Sequence, residues 1–420
     1  MVILSHGRVD VVKVALLSDC YLPRLGGIEV QVHDLAGWLR RAGHEVEVFT
    51  ATPGRAGERH GAVELVDGVP VHHLALRLPG DLPVNPWAPP ELRRRLLAGG
   101  FDVAHVHMGV VSPFARDAVD VALAAGVPTA VTWHCVLDAM ERVLAVSGRV
   151  RRWAGRGVAL SAVSRMAARP LQRLAPDARV TVLPNGIDVD RWRSSTAATV
   201  LGPQGHCGTD GAGGTDGAGG TDGAGGADVD GGEPVRFVTA MRLARRKRAV
   251  PLARVARRVD DLVGDENNWG IEVFGEGPQR GLVQAYLRTH GLTDRVLLRG
   301  RVSRDELLES YQGATAYVSP TVLEAFGIAA LEARAAGLPV VGRRGSGVEE
   351  FVEDGVTGLL ARGDRELAAH LATLVLDPGA RHRLRQASRA APPTQSWPTV
   401  VGMVEAEYAR AGRLARRRRT

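Results

Sequence analysis

The chain has 420 residues, length enough for two or three domains, and 45% of them are apolar, so sizeable cores can form. Lys and Arg outnumber Asp and Glu by 53 to 46, and the net charge of +7 suits an anionic partner: a nucleotide diphosphate, a membrane surface or a nucleic acid. Three cysteines, Cys20, Cys135 and Cys207, lack C-x-x-C spacing, which argues against a disulfide scaffold or zinc site and for a reducing compartment; the charged N-terminus has no signal-peptide core, and no apolar run reaches the roughly 18 residues of a membrane span.

Residues 11–18 (VVKVALLS) form a β-rich run that ends in DCYLPRLGG, with Gly26 and Gly27 directly before a helical pattern. That pattern (Val30, Val32, Leu35, Ala36, Leu39) stops at Gly43, and 46–50 is a second strand: β-α-β, the opening of a doubly wound sheet. Strands follow at 69–76, 101–107 and 129–134, with a Pro-rich loop at 81–90. His134 ends its strand, where open α/β sheets place ligands; the other reading is a structural histidine, as for His105 and His107. Residues 149–156 (RVRRWAGR) are a basic cluster, read either as a solvated face or as a contact with anionic lipid or a phosphate group. Residues 160–164 are a strand and turn leading into a helix at 165–174, and 180–188 (VTVLPNGID) are a strand ending in a turn in which Asn185 and Gly186 are expected to supply left-handed backbone.

Residues 194–232 read as a Gly-rich flexible linker holding three tandem TDGAGG units. A second βα series begins at 235–242 and continues with strands at 269–274, entering Gly275-Glu-Gly-Pro, at 296–300 and at 314–319. Arg242 and Lys247 bring two cations to the end of the first of these strands, chemistry suited to a diphosphate. Then comes SPTVLEAFGIAALEARAAG. Residues 328–336 read as a helix with Gly337 as its stop, and Gly327 at its start lets N–H groups approach an anion. Glu324 and Glu332 lie eight residues apart, roughly 80° past two helical turns, so both can face one cleft; a loop charge and a solvated helix residue are the plainer alternative. Residues 397–414 have helical spacing, and the arginines at 416–419 read as a solvated tail or a polyanion contact.

The stretch with Glu324 and Glu332 resembles the E-x7-E signature of retaining GT-B glycosyltransferases of family 4. PNGID, the early Gly-Gly loop and R-x4-K match that family in the same order, with Met241 and Arg248 standing where it has glycines. The resemblance implies an α/β GT-B fold: an N-terminal Rossmann-like acceptor domain (11–193), the linker, a C-terminal nucleotide-sugar domain (233–394), and a helix (395–415) crossing back to the first domain. It implies that Glu324 and His134 orient a donor hexose, that Arg242 and Lys247 neutralise the diphosphate, and that Glu332 holds the ribose. Gly27, Phe326, Gly327, Ile328, Gly275 and Val302 complete the expected donor site.

The expected activity is transfer of a hexose from a UDP- or GDP-sugar to an acceptor hydroxyl with retention, without a metal or other cofactor. The expected acceptor is a small molecule or a lipid-linked one, no nucleic acid is expected as a partner, and the expected location is cytoplasmic, either free or peripheral at the inner face of the membrane. The alternatives are a catalytically inactive sugar-nucleotide-binding protein, which the altered R-x4-K loop motivates, and an epimerase of the same fold.

Overall fold

The computed structural model describes residues 11–23, 26–54, 61–76, 85, 87–137, 140–193 and 234–418. The Gly-rich stretch with its TDGAGG repeats therefore lies outside the described residues, as do Arg24 and Leu25 of the first loop, most of 81–86, and Arg419.

Short apolar runs alternating with amphipathic helices dictate parallel strands joined by crossovers, because each helix must bury its apolar stripe on the sheet. The first sheet contains β1 (Lys13–Ser18), β2 (Glu45–Thr50), β3 (Ala62–Val66), β4 (Val69–His73), β5 (Val103–Met108), β6 (Thr129–Trp133), β7 (Ala159–Ala162) and β8 (Val180–Val182). Its order is β3-β4-β2-β1-β5-β6-β7-β8, and only β3 runs antiparallel to its neighbour. The second sheet contains β9 (Val235–Ala240), β10 (Trp269–Phe274), β11 (Val296–Gly300), β12 (Ala316–Val318), β13 (Val340–Arg343) and β14 (Gly358–Ala361). Its order, β11-β10-β9-β12-β13-β14, is wholly parallel. Two doubly wound sheets facing each other make the GT-B arrangement that the motif order implies.

The helix Trp397–Arg416 returns to the first domain. Trp397, Val400, Val401, Val404, Tyr408 and Ala411 pack on Val14, Leu16, Val32 and Leu35. The entry is fixed by backbone bonds between Ile187 and the segment 395–397: Ile187 N to Gln395 O at 3.0 Å and Trp397 N to Ile187 O at 3.1 Å. Here one expectation is corrected. Neither Asn185 nor Gly186 has a positive φ. Gly186 is required because a Cβ there would lie 2.3 Å from the Trp397 ring. The Gln31 side chain grips its N–H and C=O, each at 3.1 Å.

Candidate active site

The ends of the strands place the site. β6 stops at Trp133 and delivers His134; β8 is followed by Asn185; β9 ends at Ala240 and β12 at Val318. With Gly27 and Ile28 from the first domain and Glu324 to Ala330 from the second, they enclose a cavity of about 390 Å³ between the sheets. Open α/β sheets bind ligands at such carboxyl ends.

The helix Ile328–Ala335 starts directly on this cavity. Gly327 caps it with φ 93, a left-handed conformation that a side chain resists, so glycine is the residue for which this turn is unstrained. Gly347 packs beneath the same loop, where a Cβ would meet Ala325 O at 2.4 Å, and its N–H donates to Glu324 O at 2.7 Å. Backbone rather than side chain therefore holds the helix tip, leaving its N–H groups facing the cavity with the positive end of the dipole. Phe326 anchors the loop from below, buried against Phe351.

Lys247 Nζ lies 2.6 Å from Glu324 Oε2, and both side chains line the cavity. An ammonium and a carboxylate thus neutralise each other beside the helix tip. Chemically, the ammonium suits an anion and the carboxylate suits hydroxyl donors.

His134 lines the same cavity. Its Nε2 lies 2.9 Å from His107 Nδ1. Burial lowers its pKa to about 4, with the bond to Asn185 pulling the other way, so the ring is neutral near pH 7. His105 continues the stack, its ring 4.2 Å from that of His107, and it reaches Tyr408 Oη at 3.0 Å and Thr132 Oγ1 at 2.8 Å. Burial holds it near 3.

Four expected site residues, Glu332, Arg242, Gly275 and Val302, lie outside this lining. Glu332 is not a lining residue: the helix begins at Ile328, so Glu324 precedes it and the helical-angle argument that put both carboxylates in one cleft does not apply. Instead Glu332 Oε1 lies 4.0 Å from Arg304 Nη2, which also reaches Asp34 Oδ2 of the first domain at 3.6 Å. Arg242 is exposed and outside the cavity lining, because the chain alternates as it leaves β9: Met241 faces the cavity and Leu243 is buried. Gly27, Phe326, Gly327 and Ile328 line the cavity. Gly275 and Val302 do not. Val302 packs on the apolar core. Gly275 has φ 122, and a Cβ there would sit 2.1 Å from Met241 O; Gly277 stands likewise against Leu243 O at 2.4 Å. The G-x-G-P turn thus braces the loop that carries Lys247.

That loop also accommodates one of the two glycine departures, Arg248. Arg248 adopts φ 62, the left-handed conformation the family's glycine would take, and its guanidinium bonds both Asp364 oxygens at 2.6 and 2.8 Å. A left-handed non-glycine residue costs about 1–2 kcal/mol, which the ion pair offsets in part. Thr239, Tyr317 and Thr321 line the site without having been singled out in the sequence, and Asn185, expected only as a turn residue, lines it too. The Asn of PNGID carried a signal, since the motif is polar as well as turn-forming; the other three had none.

The model of Glycosyltransferase Family 4 matches residues 25–191, and that of Glycosyl transferases group 1 matches residues 230–391. A D-inositol 3-phosphate glycosyltransferase of Kineococcus radiotolerans is 30% identical, over 91% of this chain and 92% of its own. One of Xylanimonas cellulosilytica is 28% identical over 92% of each. Among solved structures, Anabaena Alr3699/HepE in complex with UDP superposes with a TM-score of 0.68 at 17% identity, covering 94% of this chain and 99% of that one. WaaG, a glycosyltransferase involved in lipopolysaccharide biosynthesis, does so with 0.64 at 16%, covering 93% and 98%.

Proposed function

The chain belongs to glycosyltransferase family 4 and is a hexosyltransferase of GT-B fold; on that premise we propose that it moves a hexose, with retention, from a UDP- or GDP-sugar to a hydroxyl of a phosphorylated inositol. The observation that carries the reading is the Lys247–Glu324 pair beside the glycine-capped helix tip in the interdomain cavity. A UDP-linked donor is supported by the solved neighbour in complex with UDP, and the acceptor by the shared name of the relatives.

The diphosphate sits at the tip of Ile328–Ala335 and takes Lys247 from Glu324. Glu324 and His134 then orient the hexose, and domain closure brings Arg242 and Glu332 toward the diphosphate and ribose. The acceptor hydroxyl attacks the anomeric carbon on the face from which the diphosphate departs. The bond from that carbon to the phosphate oxygen breaks, the bond to the acceptor oxygen forms, and the acceptor proton passes to the leaving phosphate. Protein cations and backbone N–H groups supply the charge stabilisation, so the reaction runs without a metal. No helix among the described residues is long and apolar enough to cross a membrane. The reading places the protein in the cytoplasm, beside the nucleotide-sugar supply, with a peripheral membrane contact.

A second reading, sugar-nucleotide binding without transfer, is favoured by the Met241 side chain in the cavity and by Arg242 outside its lining. Incubation with UDP- and GDP-hexoses plus inositol phosphate, with products read by mass spectrometry and anomeric NMR, separates the two. Equimolar nucleoside diphosphate and a glycoside of unchanged anomeric configuration are expected. Nucleotide-induced thermal stabilisation without transfer from any donor would establish the second reading.

A further inference from the structure

On the far side of the first domain, a pocket of about 430 Å³ opens between the helix Arg149–Gly155 and the end of Trp397–Arg416. Its walls are of two kinds. Val158, Ala175 and Leu414 give an apolar floor, while Arg151, Arg179 and Arg413 stand exposed at the rim. None of these three arginines has a carboxylate partner among the described residues, whereas Arg410, in the same wall, is spent on Glu407 and on the carbonyls of Arg179 and Leu160. The rim continues into exposed Arg152, Arg156, Arg416 and Arg418, with Asp177 the single acidic group lining the pocket. The Arg418 side chain reaches over Gly157, where a Cβ would lie 3.2 Å from its Cδ, so the two basic segments form one continuous surface.

We propose that this face docks the protein on an anionic lipid bilayer, with one phospholipid headgroup seated in the pocket: its phosphate among Arg151, Arg179 and Arg413, and its glycerol and upper chain on the apolar floor. The inference gives a place to the membrane contact in the reading above and rests on that part of it alone. An unpaired cationic rim around an apolar floor matches a phosphate joined to hydrocarbon. A nucleic acid fits less well, because Trp153, the one aromatic ring in the cluster, is buried and offers no face on which a base can stack. The pocket lies at the N-terminal ends of β7 and β8, next to Val158 and Arg179, while His134 and Asn185 follow the C-terminal ends of their strands. Docking by this face therefore leaves the catalytic cleft open to water. The bound lipid is a tether, not the acceptor.

The test is sedimentation of the full chain with vesicles of phosphatidylcholine alone, or of phosphatidylcholine and phosphatidylglycerol in equal parts, at low and high salt. Binding is expected only to the anionic vesicles and is expected to weaken with salt. Each arginine near such a surface contributes roughly fivefold to the partition coefficient, so R151E/R413E loses at least about 25-fold. The matched variant R254E/R257E, on an exposed helix face of the second domain, keeps its binding. Both variants should melt near the parent temperature and retain glycosyl transfer in the absence of vesicles, which separates loss of docking from failure of the transferase reading. Equal loss in the two variants, or preferential capture of a single-stranded RNA over the anionic vesicles, would overturn the proposal.

Discussion

Glu332 offers the sharpest test of the interdomain electrostatics. It is 8% exposed, and burial pushes its carboxyl up to about 7 from the ordinary 4.5, against the pull of Arg304 and with Asp34 adding to the rise. The fold thus favours the protonated acid. The stability this group contributes is fully present below pH 4.5 and is lost as pH rises through 7, where a buried carboxylate must be carried. The gap between 4.5 and about 7, at about 1.4 kcal/mol per pH unit, amounts to about 3 kcal/mol. Glu332→Gln keeps the shape and never ionises. It should stay within about 1 kcal/mol of the parent protein at pH 5 and exceed it by about 3 kcal/mol at pH 8, roughly 6–12 °C in melting temperature for a domain of this size. Scanning calorimetry at the two pH values reads this directly. The same substitution removes the carboxyl proposed to hold the ribose, so nucleoside diphosphate should bind more weakly, by up to roughly tenfold, as for loss of one hydrogen bond. A parent-minus-variant difference that is the same at both pH values would refute the electrostatic reasoning. Unchanged nucleotide affinity would remove Glu332 from the donor site.

Lys247→Ala strips the cavity of its ammonium and leaves Glu324 without its partner, so kcat should fall on the order of 10²- to 10³-fold while the melting temperature changes little; initial rates at saturating donor measure it. Arg248→Gly relieves a left-handed backbone but loses the pair to Asp364, whereas Arg248→Ala loses the pair and keeps the strain; denaturant unfolding should find the Gly variant more stable by about 1 kcal/mol. Gly186→Ala places a methyl 2.3 Å from the Trp397 ring, and should cost about 1–3 kcal/mol while loosening the returning helix, seen as faster hydrogen exchange across Trp397–Arg416.

The sequence carried the parts of the fold that depend on local pattern. WGIEVF bounded by Gly275 is β10 at the expected limits, and the run after Gly327 is the expected helix. An unread local signal also existed: Asp67-Gly68 between Val66 and Val69 is a two-residue hairpin turn with φ of 50 and 76, and it makes β3 the antiparallel edge strand. Partners distant in the chain were not legible. Gly186 reads as a turn residue until Trp397, more than two hundred positions later, supplies the ring it must clear. Spacing placed Glu332 on a helix but held no trace of Arg304 or Asp34, which decide where its carboxylate points. Motif spacing reports which backbone positions reach the cleft, whereas side-chain direction and ionisation are set by whichever opposing domain packs against them. Glu324 meets Lys247, which arrives on a braced loop of its own sheet, whereas Glu332 meets Arg304 at the contact between domains. The two glutamates thus face different partners: Glu324 meets Lys247 in the cavity, and Glu332 faces the Arg304 guanidinium that also reaches Asp34 across the domains.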